Sequence, residues 1–179
     1  MSITFELSRD PRLLQQYYAL RECCFRQELE LPGFDGSEEQ LDRCGHILIA
    51  HRNGQCLGGA RITPSLLPGD QLRDFDLAPE ACCAWERFVL DPAIRTVQLA
   101  RDFLAQLIEI SRVLGYRHAL MYSSRLNARF YRQCHTALGV GFHIHETIPD
   151  ASRGPFAGLE HYLSVSQLHE ERRSLYLVA

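Results

Sequence analysis

The chain has 179 residues, 46% of them hydrophobic, and a formal net charge of −3, a size that suits one compact domain with a sizeable core. No apolar run approaches the roughly 20 residues that cross a bilayer, so no membrane span is expected. All 19 basic residues are arginine, which excludes Schiff-base and P-loop lysine chemistry.

The opening MSITFELSRD lacks a basic region followed by an apolar stretch, so it does not read as a secretory signal; within it ITFELS alternates as a first strand. Residues 10–28 read as a helix, with Asp10 at the N-cap and Pro11 at the first helical position. Its apolar stripe is Leu14, Tyr17, Tyr18, Cys24 and Phe25. Arg21 points along that stripe at about 100° per residue. A guanidinium there needs a partner, because an unpaired buried charge is very costly; it is either a ligand for a substrate or a side chain bonded to a nearby Glu.

ELELPGFDGSEEQLD follows as an acidic, turn-rich segment with a short helix after Ser37. HILIAHRNGQCLGGARITP reads as a hairpin connected by Asn53-Gly54. The glycine pair before Arg61 signals a bulge or a close approach by another chain or a ligand. A loop with two prolines runs to about residue 82. WERFVL is then a strand, and the turn Pro92-Ala93-Ile94-Arg95-Thr96 leads into a helix over about 97–113. The open N–H groups at that helix start suit a phosphate with or without glycine nearby, and Arg95 and Arg101 add charge.

RHALMYS reads as a buried strand, after which Ser123 or Ser124 caps a helix to about residue 137. Leu126, Phe130, Cys134 and Ala137 are expected on one face of it, and Arg125, Arg129 and Arg132 opposite. Tyr131 lies between, as a core residue or as a proton donor to a leaving thiolate. GVGFHIHETI and GLEHYLSVS are two final strands. The order β-α-(α)-β-β-β-α-β-α-β-β makes an α+β fold, a mixed sheet with helices packed on it.

The seven cysteines include no CxxC pair, so reduced thiols in a cytoplasmic protein are expected. His143 and His145 share a strand face without a third ligand in register, so no metal is expected. Six acids lie between Glu28 and Asp42, whereas residues 110–145 contain none and carry five arginines. One part of the chain suits a cation and another an anion. The net charge and the lack of a basic motif argue against a nucleic-acid partner.

The order of elements, with WERFVL, its turn and the helix from 97, resembles the GNAT superfamily of acyl-CoA N-acyltransferases over nearly the whole chain. The resemblance implies a single domain over residues 1–179, with a mostly antiparallel sheet of about seven strands flanked by helices. The superfamily motif Q/R-x-x-G-x-G/A is matched by Arg95-x-x-Gln98-x-Ala100, with Gln98 in place of the middle glycine. In the family the amides here at Val97, Gln98, Leu99 and Ala100, after Thr96, meet the pyrophosphate of acetyl-CoA or a longer acyl-CoA. RFYRQ resembles a later motif whose tyrosine, here Tyr131, is the general acid at the thioester sulfur.

The N-terminal half resembles acyl-homoserine-lactone synthases through LRECCFRQEL, Glu39-x-x-Asp42, GGARITP and ERFVLD. Their substrate site maps onto Arg21, Phe25, Glu39, Asp42 and Arg61, with Phe34 nearest to a missing tryptophan, and Glu86 directly precedes Arg87 where the family spaces such a pair wider. The two resemblances imply an N-acyltransferase acting on a small amine, such as an amino acid or S-adenosylmethionine. The donor is an acyl-CoA or an acyl carrier protein. Glu86 and Asp42 are candidate bases, and an N–H near Val89 would polarise the carbonyl. A binding module that senses a thioester without turning it over is the alternative, and either a monomer or a homodimer fits.

Overall fold

The computed structural model of the chain describes residues 2–67, 69–145, 154–156 and 158–169. Seven strands form one sheet in the order β1-β2-β3-β4-β5-β7-β6. In chain order they are β1 (Thr4–Leu7), β2 (His46–Arg52), β3 (Gln55–Pro64), β4 (Cys82–Leu90), β5 (His118–Ser123), β6 (Gly141–His145) and β7 (Tyr162–Gln167). All neighbours are antiparallel except β4 and β5. The expected mixed, mostly antiparallel sheet is therefore present. Residues 146–148, expected to continue the sixth strand, lie outside the described residues.

The helices are α1 (Pro11–Glu28), α2 (Gln40–Cys44), α3 (Gly69–Arg73), α4 (Val97–Val113) and α5 (Arg125–Ala137). Asp10 caps α1 by accepting from the Arg12 amide at 2.8 Å, as its place before a proline suggests. The short α3 stands in the stretch expected to be loop. It buries Leu72 beneath β4, β5 and β7, where Cys82, Leu120, Leu163 and Val165 meet it.

Alternation along β2 divides the core. Leu48 and Ala50 join the cluster under α4 and α5, whereas Ile47 and Ile49 join the cluster under α1 with Leu13, Tyr17 and Cys24. The buried side of α1 thus includes Leu13, while Leu14 is only partly buried. The expected face of α5 is also corrected. Leu126 is 78% exposed and Ala137 is exposed, and Ala128, Cys134 and His135 are the buried residues. Three-to-four spacing from Ala128 through Tyr131 to His135 defines the seated stripe, with a histidine at one of its core positions.

His135 has no exposed surface. Its Nδ1 lies 2.7 Å from the Tyr131 carbonyl, which fixes the proton on Nδ1, and its ring packs on Phe142. Burial lowers its pKa to about 4. The neutral form is the folded form, so its stabilising contribution is complete above the ordinary value of about 6.5 and declines as pH falls toward 4. His145 is shifted in the same direction by burial and by His143. Urea titrations are expected to show unfolding free energy falling between pH 6.5 and 4, and His135→Phe is expected to flatten that slope by up to about 1.4 kcal/mol per pH unit.

Candidate active site

Two arginines organise one wall of the site. Arg21 of α1 and Arg61 of β3 are both fully buried, and Asp42 of α2 lies between them, 1% exposed. Asp42 Oδ1 accepts from Arg21 Nη1 at 3.2 Å and from Arg61 Nη1 at 3.0 Å. Its Oδ2 accepts from Arg21 Nη2 at 3.0 Å and from the Glu39 amide at 2.8 Å. Arg21 also donates to the Gly36 and Ser37 carbonyls, which ties the acidic segment after α1 back onto that helix. Arg61 reaches Glu39 at 2.6 Å and Glu86 at 2.9 Å. Burial alone would raise the pKa of Glu39 and Asp42; the bonds from Arg61 and Arg87 to Glu39, and from Arg21 to Asp42, outweigh it and hold both below the ordinary carboxylate range.

The paired glycines of β3 have a packing reason. A Cβ at Gly59 would stand 2.6 Å from Cε2 of Tyr17, and one at Gly58 would stand 2.6 Å from the Val89 carbonyl. Tyr17, fully buried, uses that space to donate from its hydroxyl to the Arg87 carbonyl at 2.9 Å. There the β3–β4 register shifts, and Arg87 adopts φ 56°, a left-handed conformation that costs a non-glycine residue on the order of 1–3 kcal/mol. The bulge turns the Arg87 side chain onto Glu39, with Nε 3.0 Å from Oε1. Its guanidinium also lies 4.6 Å from the Phe156 ring centroid and 5.8 Å from that of Phe34.

β4 and β5 pair only along Cys82–Ala84 and His118–Leu120. Beyond that point the two strands line a cavity of about 1210 Å³ between them, larger than the roughly 300–1,000 Å³ of a typical small-molecule site. Glu86, Arg87, Phe88 and Val89 form one side; Met121, Tyr122 and Ser123 form the other; Asn127, Phe130 and Tyr131 of α5 contribute as well. Glu86 accepts from Arg61 Nε at 3.0 Å and from Thr63 through Oε2, and among the described residues its Oε1 has no partner. Neither has the Tyr131 hydroxyl, whose pKa is raised by burial.

The turn into α4 reaches the same cavity through Arg95, Thr96, Val97 and Ala100. Asp91 organises this turn: its carbonyl accepts from Ile94 and Arg95, and its carboxylate from Ala93. Thr96 caps α4 by accepting from Leu99 at 3.1 Å. Among the described residues this leaves the amides of Val97 and Gln98 as the open donors of the first turn. Arg95 is ion-paired with Glu28 at 2.9 Å, the Gln98 side chain bonds Asp102, and Arg101 Nε is buried without a partner among the described residues.

The sequence-derived residues fall into two layers. Phe25, Glu86, Val89, Arg95, Thr96, Val97, Ala100 and Tyr131 line the cavity, whereas Arg21, Phe34, Glu39, Asp42, Arg61, Gln98, Leu99 and Arg101 are not among its lining residues. Asp42, one of two candidate bases, is buried with both oxygens bonded, and only Glu86 of that pair faces the cavity. Arg87 and Phe156 went unrecognised as site residues. Strand alternation assigns Arg87 to the face opposite Glu86, and the only sequence signal for the bulge was the Gly58-Gly59 pair. Among the described residues no group of three or more His, Cys, Asp or Glu side chains is placed to hold a metal ion, and no helix is long and apolar enough to cross a membrane.

No family model and no curated protein matches the sequence. Solved structures do match in shape. An N-acetyltransferase from Staphylococcus aureus Mu50 superposes with a TM-score of 0.62 at 14% identity, over 94% of this chain and 100% of that one. An acyl-CoA N-acyltransferase from Pseudomonas aeruginosa gives 0.58 at 17% identity, over 93% and 98%. The fold is that of the GNAT acyltransferases. BjaI, a CoA-dependent acyl-homoserine-lactone synthase solved with SAM and isopentyl-CoA, shares this acyltransferase fold with a TM-score of 0.67 at 16% identity, over 93% of this chain and 83% of BjaI.

Asp42 is the sole side chain bonded to both buried guanidiniums among the described residues, and the only carboxylate paired with Arg21 among them, so removing its charge leaves the Arg21 guanidinium buried without a counter-charge. Asp42→Asn is expected to lower the unfolding free energy by about 3–5 kcal/mol, read as a lower urea midpoint with little change in slope.

Proposed function

We propose that the chain is an N-acyltransferase that moves an acyl group from a phosphopantetheine thioester to the amine of a small acceptor. The observation that carries this reading is the convergence of three groups on one cavity. These are a carboxylate with one open oxygen (Glu86), an unpartnered tyrosine hydroxyl (Tyr131) and the edge of β4 where it parts from β5. The volume exceeds what one small molecule needs, which suits two substrates meeting between the strands.

In this reading Glu86 Oε1 takes a proton from the acceptor's ammonium group, while Arg61 and Thr63 hold its other oxygen and fix the carboxylate. The freed amine attacks the thioester carbonyl, whose oxygen is stabilised by an N–H of β4 near Val89. As the C–S bond breaks, Tyr131 gives its proton to the departing sulfur and is reprotonated, through water, by the second nitrogen proton of the tetrahedral intermediate, while Glu86 returns the first to solvent. Burial keeps that phenol protonated across the neutral range, the form a donor to sulfur needs. Asp42, Glu39, Arg21 and Arg61 serve as the wall that holds Glu86.

The donor's phosphates would meet the Val97 and Gln98 amides and Arg101. Acyl-CoA is the simplest donor, acetyl or longer; an acyl carrier protein presents the same arm. An acyl-homoserine-lactone-synthase-like reaction is favoured as a second reading by the Arg21–Asp42–Arg61–Glu39 network, which occupies the positions at which the sequence resembles those enzymes.

Calorimetric titration with acetyl-CoA, longer acyl-CoAs and free coenzyme A, followed by thiol release across an amine panel, tests the proposal. Saturable binding and release support it; no release with any acyl-CoA or acyl carrier protein would refute it. Glu86→Gln is expected to lower kcat by about 10²-fold or more. Tyr131→Phe is expected to lower kcat with little change in donor affinity.

A further inference from the structure

Arg95 stands immediately before Thr96, the residue that caps α4, and lines the cavity together with Thr96 and Val97. Its guanidinium is held from another wall. Nη1 donates to Glu28 Oε2 at 2.9 Å, and Glu28, with Cys24, Phe25 and Leu29, belongs to the end of α1 that lines the same cavity. The pair therefore joins the last turn of α1 to the turn whose Val97 and Gln98 amides are proposed to meet the donor's phosphates.

Two features make this pair exchangeable. Both side chains face water, 44% and 39% exposed, and an ion pair in that setting contributes little. A phosphate offers a guanidinium fork more acceptor oxygens than a carboxylate does. Glu28 is also the final residue of α1, where a carboxylate meets the negative end of the helix dipole. Arg95 offsets that misplaced charge, and a phosphate at the α4 amides would compete with Glu28 for the same guanidinium.

The chain after Glu28 is lightly tied. The Phe25 carbonyl accepts from both Leu29 and Leu31, at 3.3 and 3.4 Å, and Glu30 between them holds a left-handed φ of 53°. Long bonds around a strained residue let this stretch respond when the ion pair is exchanged.

We propose that Glu28 is a latch that stands in for the donor's phosphate on Arg95. In the free protein Glu28 occupies the guanidinium. An incoming phosphate takes the guanidinium over and releases Glu28 with the turn over 29–31. Glu28 then sets donor affinity, and donor binding is relayed to α1. The inference rests on the phosphate position in the N-acyltransferase reading, but it is measured by binding, without turnover.

Calorimetric titration with free coenzyme A and with inorganic pyrophosphate tests the latch. Glu28→Gln is expected to lower the coenzyme A Kd by about 5-fold, the upper end for an exposed ion pair, and to tighten pyrophosphate binding as well. In an Arg95→Gln background the same change is expected to give less than about 2-fold. Glu30→Gln removes an equal charge two residues on and is expected to shift Kd by less than about 2-fold. Melting scans establish that each variant is folded. Saturating coenzyme A is expected to speed hydrogen exchange at the Leu29 and Leu31 amides, and Glu28→Gln to show the faster exchange without ligand. A Kd that Glu28→Gln leaves unchanged overturns the latch, as does equal tightening by Glu30→Gln or in the Arg95→Gln background. Exchange at Leu29 and Leu31 that coenzyme A does not alter also overturns it. Thiol release across the amine panel leaves the acyltransferase reading standing in each of these cases. Tightening confined to Glu28→Gln, with no thiol release from any donor, upholds the latch and overturns the reaction. No binding of either probe by any of these proteins overturns the latch, and thiol release from an acyl carrier protein then decides the reaction by itself.

Discussion

Two guanidinium groups without exposed surface need counter-charge inside the fold, and one carboxylate, Asp42, answers both of them. An uncompensated buried charge costs several kcal/mol, so α1 has to meet α2 for Arg21 to be satisfied, and β3 joins them through Arg61. The Arg21 side chain also gathers the Gly36 and Ser37 carbonyls, which gives the acidic segment a defined path without much regular structure. From Arg61 the network runs on to Glu86 and Glu39, and from Glu39 to Arg87. The wall of the cavity is thus an extension of the core's electrostatics, and the open oxygen of Glu86 is held by the same bonds that hold the fold.

The sheet makes the cavity by what it leaves undone. β4 and β5 run parallel for three residues each and then part, while β3 keeps hold of β4 on its other side. Helix α4 begins at the end of β4 and helix α5 at the end of β5, so two helix N-termini and two strand edges frame one opening. Self-capping at Thr96 and the Asp91 turn use most of the local donors. The proposed phosphate contact therefore rests on the Val97 and Gln98 amides.

Much of this arrangement was legible in the sequence. Binary alternation in β1, the apolar arms of β2 and β3 with their Asn53-Gly54 connection, Asp10-Pro11 and the order of elements all report local physics, and they led to the right sheet. Arg21 on an apolar stripe was readable as a buried charge in need of a partner, although the partner proved to be an aspartate 21 positions on. What stayed hidden was non-local. The burial of Asp42 depends on three elements converging. The bulge at Arg87 depends on Tyr17 reaching across from α1, and Phe156 joins the site from the other end of the chain. On α5 the spacing held but apolarity misassigned the face, because His135, buried and neutral, took a core position while Leu126 stayed in solvent. Polarity scales do not anticipate a histidine whose proton is fixed by a backbone carbonyl.

The absence of lysine has a chemical consequence for a protein proposed to hold activated acyl groups. A thioester acylates any neutral amine it meets, and an ε-amine near the cavity mouth would be an intramolecular rival to the substrate. A guanidinium keeps its proton at every accessible pH and is a poor nucleophile. The positive surface of α5, and the cations around Glu39 and Glu86, can therefore attract anions without consuming the donor. Five of the seven thiols are buried as well, and burial raises the pKa of Cys24, Cys56, Cys82, Cys83 and Cys134, which keeps them as inert thiols. Apart from the exposed Cys23 and Cys44, such side chains offer the proposed donor few nucleophiles.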